Sequence, residues 1–596
     1  MTLYVAMGIG MLLWALIPAI NIYPFIHDDA VFTNKMIYDH VKIAMIDGIA
    51  REGLLPLDPY YAPGGERITL SYYYLWYFLA SQIKLLTGVS GWETDVGCSY
   101  FTAFAVISFL SFLAVRLTQK AHAAIFVLLF GFCGMLDNIF RFLPQPQKAY
   151  LATTPKEHIE TLWLQASWAP QHVFSSLSII VLVFLLARML VGTIQSVPHA
   201  VLLACVVATG FGASVWVGGI GLLLMSPLLL LTILSLRLPI ERYFEIARFG
   251  LIALLTCIVI ALPLAIAMTS GPESLAKSFE WPFVFYTYTT LNEHGMGGTF
   301  GWSFHVVMFW LKLLPVTLGI IYLAGMFSLV TRSGKYEDRE EKIFLILSIA
   351  TVIGYLLVVQ FTKSAIKNND LGWRSMLPPL MLLTVWGAVA LTELAGVEKP
   401  SEKWRLNRFI DSWRKSITVF IIVSLTLGIF STFKTLHIPA PKYKRPSPAE
   451  LEQRQDFFKQ PEMWAKVREY AAPTDLVQAN PDAHRLLSTK PSMQPYSLLA
   501  DRATPILNTD YSYVFSYRYD PAQRKRQYEQ VRMAFSENST KEAFLYLRDT
   551  LQIKVLLVNK LDGVWDSPVI DESLVYENVY AAEDYKVYRA ISSDNQ

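Results

Sequence analysis

YYYLWYFLASQIKLLTG, residues 72–88, decides how the rest of the chain is threaded. It is apolar enough to suggest a membrane crossing, yet it is short, crowded with Tyr and Trp, and carries Gln82 and Lys84. Tyr and Trp favour the membrane–water interface over the hydrocarbon core. An amphipathic helix lying on the surface therefore fits this block better than a span. If it does not span, everything before and after it stays on one side.

Working outward, the chain of 596 residues is 53% hydrophobic and 17% charged, against about 25% charged in an ordinary soluble chain. The deficit is uneven. Residues 1–434 hold long apolar runs, and the composition shifts near Lys442 to that of a soluble sequence. We read 1–434 as a transmembrane domain and 435–596 as a soluble one, with the first outer loop at 25–94. A span needs about 20 mostly apolar residues. Besides 72–87, the apolar blocks lie at 3–24, 95–117, 121–137, 172–192, 199–215, 217–235, 246–268, 304–331, 342–362, 375–396 and 415–434, giving eleven spans. The N-terminal run lacks a basic n-region and a small-x-small cleavage site, so it reads as a retained first span.

With eleven spans, the basic segments at 116–122, 188–198, 236–248, 332–342 and 397–415 share one face. The positive-inside rule makes that face cytoplasmic, with the N-terminus inside and residues 435–596 outside. The loops at 25–94, 138–171, 269–303 and 363–374 then share the outer side with the tail. The net charge of +3 gives no reason to expect nucleic acid. Cys98, Cys133, Cys205 and Cys257 sit in or beside apolar runs, with no CxxC and no Cys/His cluster, so zinc and redox motifs are absent.

Candidate site residues collect in the outer loops. His27, Asp28 and Asp29 follow the first span directly. Acids at a membrane edge are costly to desolvate and tend to pair, bind a cation or take part in chemistry; the plainer reading is a helix N-cap, with a helix over 29–50 that carries Asp39 and His40. Tyr73 belongs to an aromatic cluster that anchors in the interface or stacks on a sugar ring. Trp168, Gln171 and His172 stand where the chain re-enters the membrane, and Glu293 and His294 lie in a Gly-rich, aromatic loop with the composition of a flap. Arg374 heads a late span, preceded by Lys363, Lys367, Asn368, Asn369 and Asp370. A guanidinium offers a planar fork suited to phosphate oxygens; the alternative is an Arg that snorkels to the interface.

The tail reads as a small α/β or α+β domain. TDLVQA and IKVLLVNK suggest strands, RKRQYEQVRMAFSE and TKEAFLYLRDTL suggest helices, and LVYENVYAAEDYKVYRAI suggests a closing hairpin. It carries no P-loop, GxSxG or GxGxxG.

This arrangement resembles the GT-C class of membrane glycosyltransferases, which includes the protein mannosyltransferases and the lipid A aminoarabinose transferases. YYYLWYFLASQIKLLTG followed by WETDVGCSYFTAFAVISFLSFLAVRLTQK looks like the family's juxtamembrane helix and second span. The PYYAPGG and SYYY region is similar to the YYY membrane proteins grouped with that class. The resemblance implies a polytopic α-helical membrane protein of about eleven spans with a C-terminal soluble α/β domain. It implies inverting transfer of a sugar from a polyprenyl-phosphate donor to a glycan, lipid or protein acceptor at the outer face of a bacterial cytoplasmic membrane. Asp28 or Asp29 takes the role of general base, Arg374 and Lys367 hold the donor phosphate, and His27, His40, Tyr73, Trp168, Gln171, His172, Glu293 and His294 line the substrates. Some members use a divalent cation (Mg or Mn), for which Asp28 and Asp29 are the candidate ligands. Two other readings stay open: a flippase for a lipid-linked glycan, and a non-catalytic envelope assembly protein.

Overall fold

The computed structural model describes residues 2–23, 25–27, 30–32, 41–70, 72–134, 159, 161–192, 196–269, 283–285, 306–332, 338–364, 370–395, 462–482, 499–507 and 520–592, with eight further positions between 419 and 430. Among them, eight helices are long and apolar enough to cross a membrane: Leu3–Ile22, Gly91–Thr118, Pro170–Val191, Val215–Ser235, Ile240–Ile266, Val306–Thr331, Arg339–Phe361 and Asp370–Ala395. Ala123–Phe132 and Val197–Ala213 are shorter apolar helices. All ten fall on expected spans; the block at 415–434 lies largely outside the described residues.

The aromatic block is a helix of 13 residues, Leu75–Thr87, ended by Gly88 in the left-handed conformation at φ 73°. At 1.5 Å per residue it is about 20 Å long, short of a hydrocarbon core of about 30 Å. Its Trp76, Tyr77, Ala80 and Ser81 are buried, as are Tyr72, Tyr73 and Tyr74 just before it, while Leu79, Ile83, Leu85 and Leu86 are exposed.

Contacts divide the chain into two compact units, residues 1–21, 99–264 and 279–438, and residues 22–98, 265–278 and 439–596. This differs from a single boundary near 434, because the first loop packs with the tail.

Within the first unit, the helix ends sort by side. At one end the Glu340 carboxylate takes Arg116 at 2.6 Å and Arg188 at 3.8 Å. Arg242 donates to the Met189 carbonyl, and Arg332 pairs with Glu393. These residues come from the segments whose basic character set the expected cytoplasmic face, or from their borders. At the other end of the bundle, the Ser167 hydroxyl donates to the Pro18 carbonyl at 3.2 Å. Helix Thr2–Ile22 thus ends at the side opposite Arg116, and Gly91–Thr118 returns from that side.

In the second unit, the tail builds a four-stranded sheet in the order Leu476–Ala479, Ile553–Asn559, Tyr585–Ala590, Tyr576–Ala581. The first pair is parallel, with Ala479 opposite Leu557. The others are antiparallel, with Val555 opposite Arg589 and Tyr576 opposite Ala590. Ile553–Asn559 is mostly buried, as a central strand covered on both faces should be. Helix Pro521–Ala534 starts on Asp520, whose carboxylate accepts from the Ala522 amide at 2.8 Å. The expected helix over TKEAFLYLRDTL forms as Lys541–Leu545 continued by a π-helical turn, Tyr546–Thr550.

Loop residues complete the core of this sheet. Tyr61 and Ile68 pack with Ile506, Phe544, Leu547, Ile553 and Leu556. The Ala62 amide donates to the Pro505 carbonyl and the Thr504 amide to the Pro59 carbonyl, both at 3.0 Å. Gly65, at φ 80°, lies so close to Leu551 that a Cβ there would sit 2.7 Å from a backbone carbon. The Pro-Gly-Gly turn is therefore a packing device. One expectation is corrected: the helix over 29–50 is not formed. Ala30–Phe32 pairs as a strand with Phe25–His27, and the helix begins at Val41. Aromatic and β-branched side chains at 25, 26, 31 and 32 favour that pairing over a helical turn.

Candidate functional site

The bundle end opposite Arg116 holds a cluster of buried polar side chains drawn from four segments. Thr161 caps the short helix Leu162–Trp168, its hydroxyl accepting from the Leu164 amide at 3.1 Å. The chain turns at Ala169 and starts Pro170–Val191 with Pro in the first turn, where a missing N–H costs nothing. This places Gln165 and Trp168 on one segment, and Gln171 and His172 on the next. Helix Val197–Ala213 ends at Ser214, which caps a π-helical turn, Val215–Gly221. Such turns recur at functional sites because they displace backbone groups from the regular ladder. The fourth segment is Asp370–Arg374, with Ser375 after it.

Arg374 is 3% exposed. Its Nη1 donates to Gln165 Oε1, its guanidinium carbon lies 4.8 Å from the Trp168 ring centre, and its Nε is 3.7 Å from Asp370 Oδ1. That last separation is an ion pair but not a hydrogen bond. His172 Nδ1 lies 2.8 Å from Ser214 Oγ, which also accepts from the Val217 amide at 3.2 Å. The Tyr355 hydroxyl donates to the Val217 carbonyl at 2.8 Å and holds the π-turn from behind. Arg374 Nε, Gln171 Oε1 and Ser375 Oγ are buried and make no hydrogen bond among the described residues. Buried polar atoms are nearly always paired, so the free Nε of Arg374 is a donor open to a ligand.

The structure thus brings together four of the residues singled out in the sequence, Trp168, Gln171, His172 and Arg374. It adds Gln165, Ser214 and Ser375, and keeps Asp370 of the polar run beside Arg374. Gln165 sits one turn before Trp168 in LWLQASW, a spacing that could have flagged it; Ser214 carries no sequence signal. Tyr73 belongs to the other unit, where it is buried and stacked on Tyr72 at 4.1 Å between ring centres. His27 ends the strand Phe25–His27. Asp28, Asp29, His40, Glu293, His294 and Lys367 lie outside the described residues. Among the described residues there is no group of three or more His, Cys, Asp and Glu side chains able to hold a metal ion.

The second unit carries a denser charged cluster. Lys84, on the aromatic helix, reaches Asp47 Oδ1 at 2.6 Å and Asp501 Oδ2 at 3.0 Å. Arg51 Nη1 meets Asp501 Oδ1 at 2.9 Å, its Nη2 meets Glu52 at 2.6 Å, and Arg67 reaches Glu52 at 3.0 Å. Burial, with the nearby Asp501 charge, pushes the Asp47 carboxyl up to about 6, while Lys84 pulls the other way. These pairs join the first loop to the tail.

A family model for the Y4nK C-terminal Rossmann-like domain matches residues 453–589. The uncharacterized protein y4nK of Sinorhizobium fredii is 28% identical over 584 residues, spanning 97% of this chain and 84% of that protein. Among solved structures, arabinofuranosyltransferase AftD from Mycobacteria aligns at a TM-score of 0.50 and 14% identity, over 99% of this chain and 40% of AftD. The Archaeoglobus fulgidus oligosaccharyltransferase tethered with an acceptor peptide aligns at 0.45 and 12% identity, over 98% of this chain and 74% of that one. ArnT from Cupriavidus metallidurans aligns at 0.45 and 11%, over 99% and 98%. The chain is a polytopic membrane protein with the fold of the GT-C glycosyltransferases and a C-terminal Rossmann-like domain.

Proposed function

We propose that the protein is an inverting glycosyltransferase that takes a sugar from a polyprenyl-phosphate donor at the outer face of a bacterial cytoplasmic membrane. The observation that carries this reading is Arg374: a buried guanidinium at the head of a membrane helix, 3.7 Å from the Asp370 carboxylate, with an Nε that makes no hydrogen bond among the described residues. An ionisable group at such a depth calls for a partner of opposite charge. The phosphate of a membrane-dissolved donor supplies it, and Arg374 with Lys367 holds the phosphate as charge develops there.

In the reaction, an acceptor hydroxyl oxygen attacks C1 of the sugar. The bond from C1 to the phosphate oxygen breaks, and its electron pair leaves with polyprenyl phosphate. The hydroxyl proton passes to Asp28 or Asp29 acting as general base. A fixed cation beside the leaving phosphate stabilises the transition state more than the ground state. Gln165 and Trp168 hold the guanidinium plane, and the pair of His172 with Ser214 fixes the neighbouring turn. His27, His40, Tyr73, Glu293 and His294 remain candidates for sugar and acceptor contacts. The acceptor is an envelope glycan, lipid or protein.

The test is binding of polyprenyl phosphate to the full-length protein in nanodiscs. Wild type binds and Arg374→Ala loses binding, with the melting temperature held. Equal binding by both removes Arg374 from the site. Transbilayer movement of labelled donor without cleavage favours the flippase reading.

A further inference from the structure

The tail has a cleft of about 340 Å³ that the transferase chemistry does not use. It opens where Leu476–Ala479 ends, beside the end of its parallel neighbour Ile553–Asn559. In open α/β sheets, ligands bind in the crevice outside the carboxyl ends of parallel strands. Its volume falls at the lower end of the range for small-molecule pockets.

The walls are polar and held in place. The buried Asp562 carboxylate accepts from Asn480 Nδ2 at 2.7 Å and from the Asn559 amide at 2.8 Å, tying the two strand ends together. Asn480 Oδ1 in turn accepts from the Asp482 amide at 2.9 Å. Asp482 is fixed from both sides: the Tyr528 hydroxyl donates to Oδ1, and Arg532 Nε stands 2.8 Å from Oδ2. Glu537 and Asn538 face them, on a loop that Gly563 lets approach closely, since a Cβ at 563 would meet the Glu537 amide.

The lining selects a class of ligand. Asp482 and Glu537 outweigh Arg532, so a phosphate or nucleotide meets net negative charge. The described residues after Leu476–Ala479 read NPD, with no glycine to cradle a pyrophosphate. Apart from Phe535 the described lining residues include no large apolar side chain against which a lipid tail would bury. A carboxylate and a guanidinium fixed side by side, flanked by amides, match the alternating donors and acceptors of neighbouring hydroxyl groups. We infer that this cleft binds a neutral saccharide unit, a second carbohydrate site separate from the Arg374 cluster. Only the assumption that the sugar belongs to a glycan acceptor rests on the proposed transferase reading.

The experiment is saturation-transfer NMR on the full-length protein in nanodiscs, against neutral hexoses, pentoses and their disaccharides, with glucose 6-phosphate and AMP as anionic controls. A neutral sugar gives saturable transfer. Asp482→Ala weakens it by about tenfold, the worth of one charge-assisted hydrogen bond. Asn538→Trp, on an exposed loop position, blocks the cleft without touching the core. Arg374→Ala keeps the saccharide signal while losing polyprenyl-phosphate binding, so the two readings fail separately. The inference is overturned if no neutral sugar gives saturable transfer, if the anionic controls bind better, or if both cleft variants leave the signal unchanged.

Discussion

The two charge clusters differ in how closely carboxylates meet their cations. Around Lys84, each cation of the chain Arg67, Glu52, Arg51, Asp501, Lys84, Asp47 has a carboxylate at 3.0 Å or nearer. Around Arg374, the ion pair stretches to 3.7 Å, and Nε goes without a hydrogen bond among the described residues. Both clusters involve side chains taken out of water, so composition does not separate them. A network in which every cation has a close carboxylate leaves no unmatched cation for an anionic ligand, and it ties a loop to a distant tail. An unsaturated one carries the desolvation cost without the compensating bonds. On that difference we propose the first as a structural clasp and the second as a site.

The comparison can be broken from either side. The largest effect is expected at the clasp. Lys84→Met leaves the buried Asp47 without its closest cation and Asp501 with Arg51 alone, and should cost the loop–tail unit about 3 kcal/mol. Amide exchange of the tail in the full-length protein reads this directly, and unchanged protection would show that the network holds nothing. Arg374→Ala should do the reverse, leaving tail protection intact while cutting kcat/KM about a hundredfold, or about 2.7 kcal/mol. A variant that melts early without losing turnover would make Arg374 structural.

A third effect concerns pH. Burial raises the Asp562 carboxyl from 3.8 to about 7, against the pull of the Asn559 amide and Asn480. The folded state therefore holds this proton more tightly than the unfolded chain. Stability from this group is complete below pH 3.8 and is lost as pH rises through 7. The expected slope is about 1 kcal/mol between pH 6 and 7, and Asp562→Asn should flatten it in exchange measurements at pH 5, 6 and 7. A slope that survives the substitution would assign it elsewhere. The smallest effect is expected for Ser214→Ala, which removes one hydrogen bond from His172 and one from the Val217 amide. We expect a loss of about 1 kcal/mol in stability and a lower kcat at nearly constant KM; a change confined to stability would take His172 out of the reaction.

Much of the fold was legible because a span announces itself. Twenty apolar residues in a row have few soluble alternatives, and Tyr and Trp density separated the Leu75–Thr87 helix from the crossings. Arg374 was legible for a related reason, since a cation at the head of an apolar run is conspicuous. The strands at 476–479 and 553–559 and the hairpin at 576–590 also stood out by pattern. What could not be read was pairing over distance. Lys84 and Asp501 are 417 positions apart, and nothing local to APGGER or YYYLWYF says that they serve a sheet at the far end of the chain. Gln165 and Ser214 were missed because a Gln in a short amphipathic turn and a Ser between two apolar helices look ordinary until the helices are packed. The segment over 29–50 misled because an acid before an amphipathic run mimics a helix start.

The central claim is that sugar transfer from a lipid phosphate occurs on this scaffold, with a first-loop carboxylate as base. Purified full-length protein, given a panel of polyprenyl-phosphate sugars and envelope glycan acceptors, should release polyprenyl phosphate. The double variant Asp28→Asn, Asp29→Asn should release none while keeping its melting temperature and its polyprenyl-phosphate binding. Release at the wild-type rate by that variant, or no release by the wild type while labelled donor crosses the bilayer intact, would contradict the account.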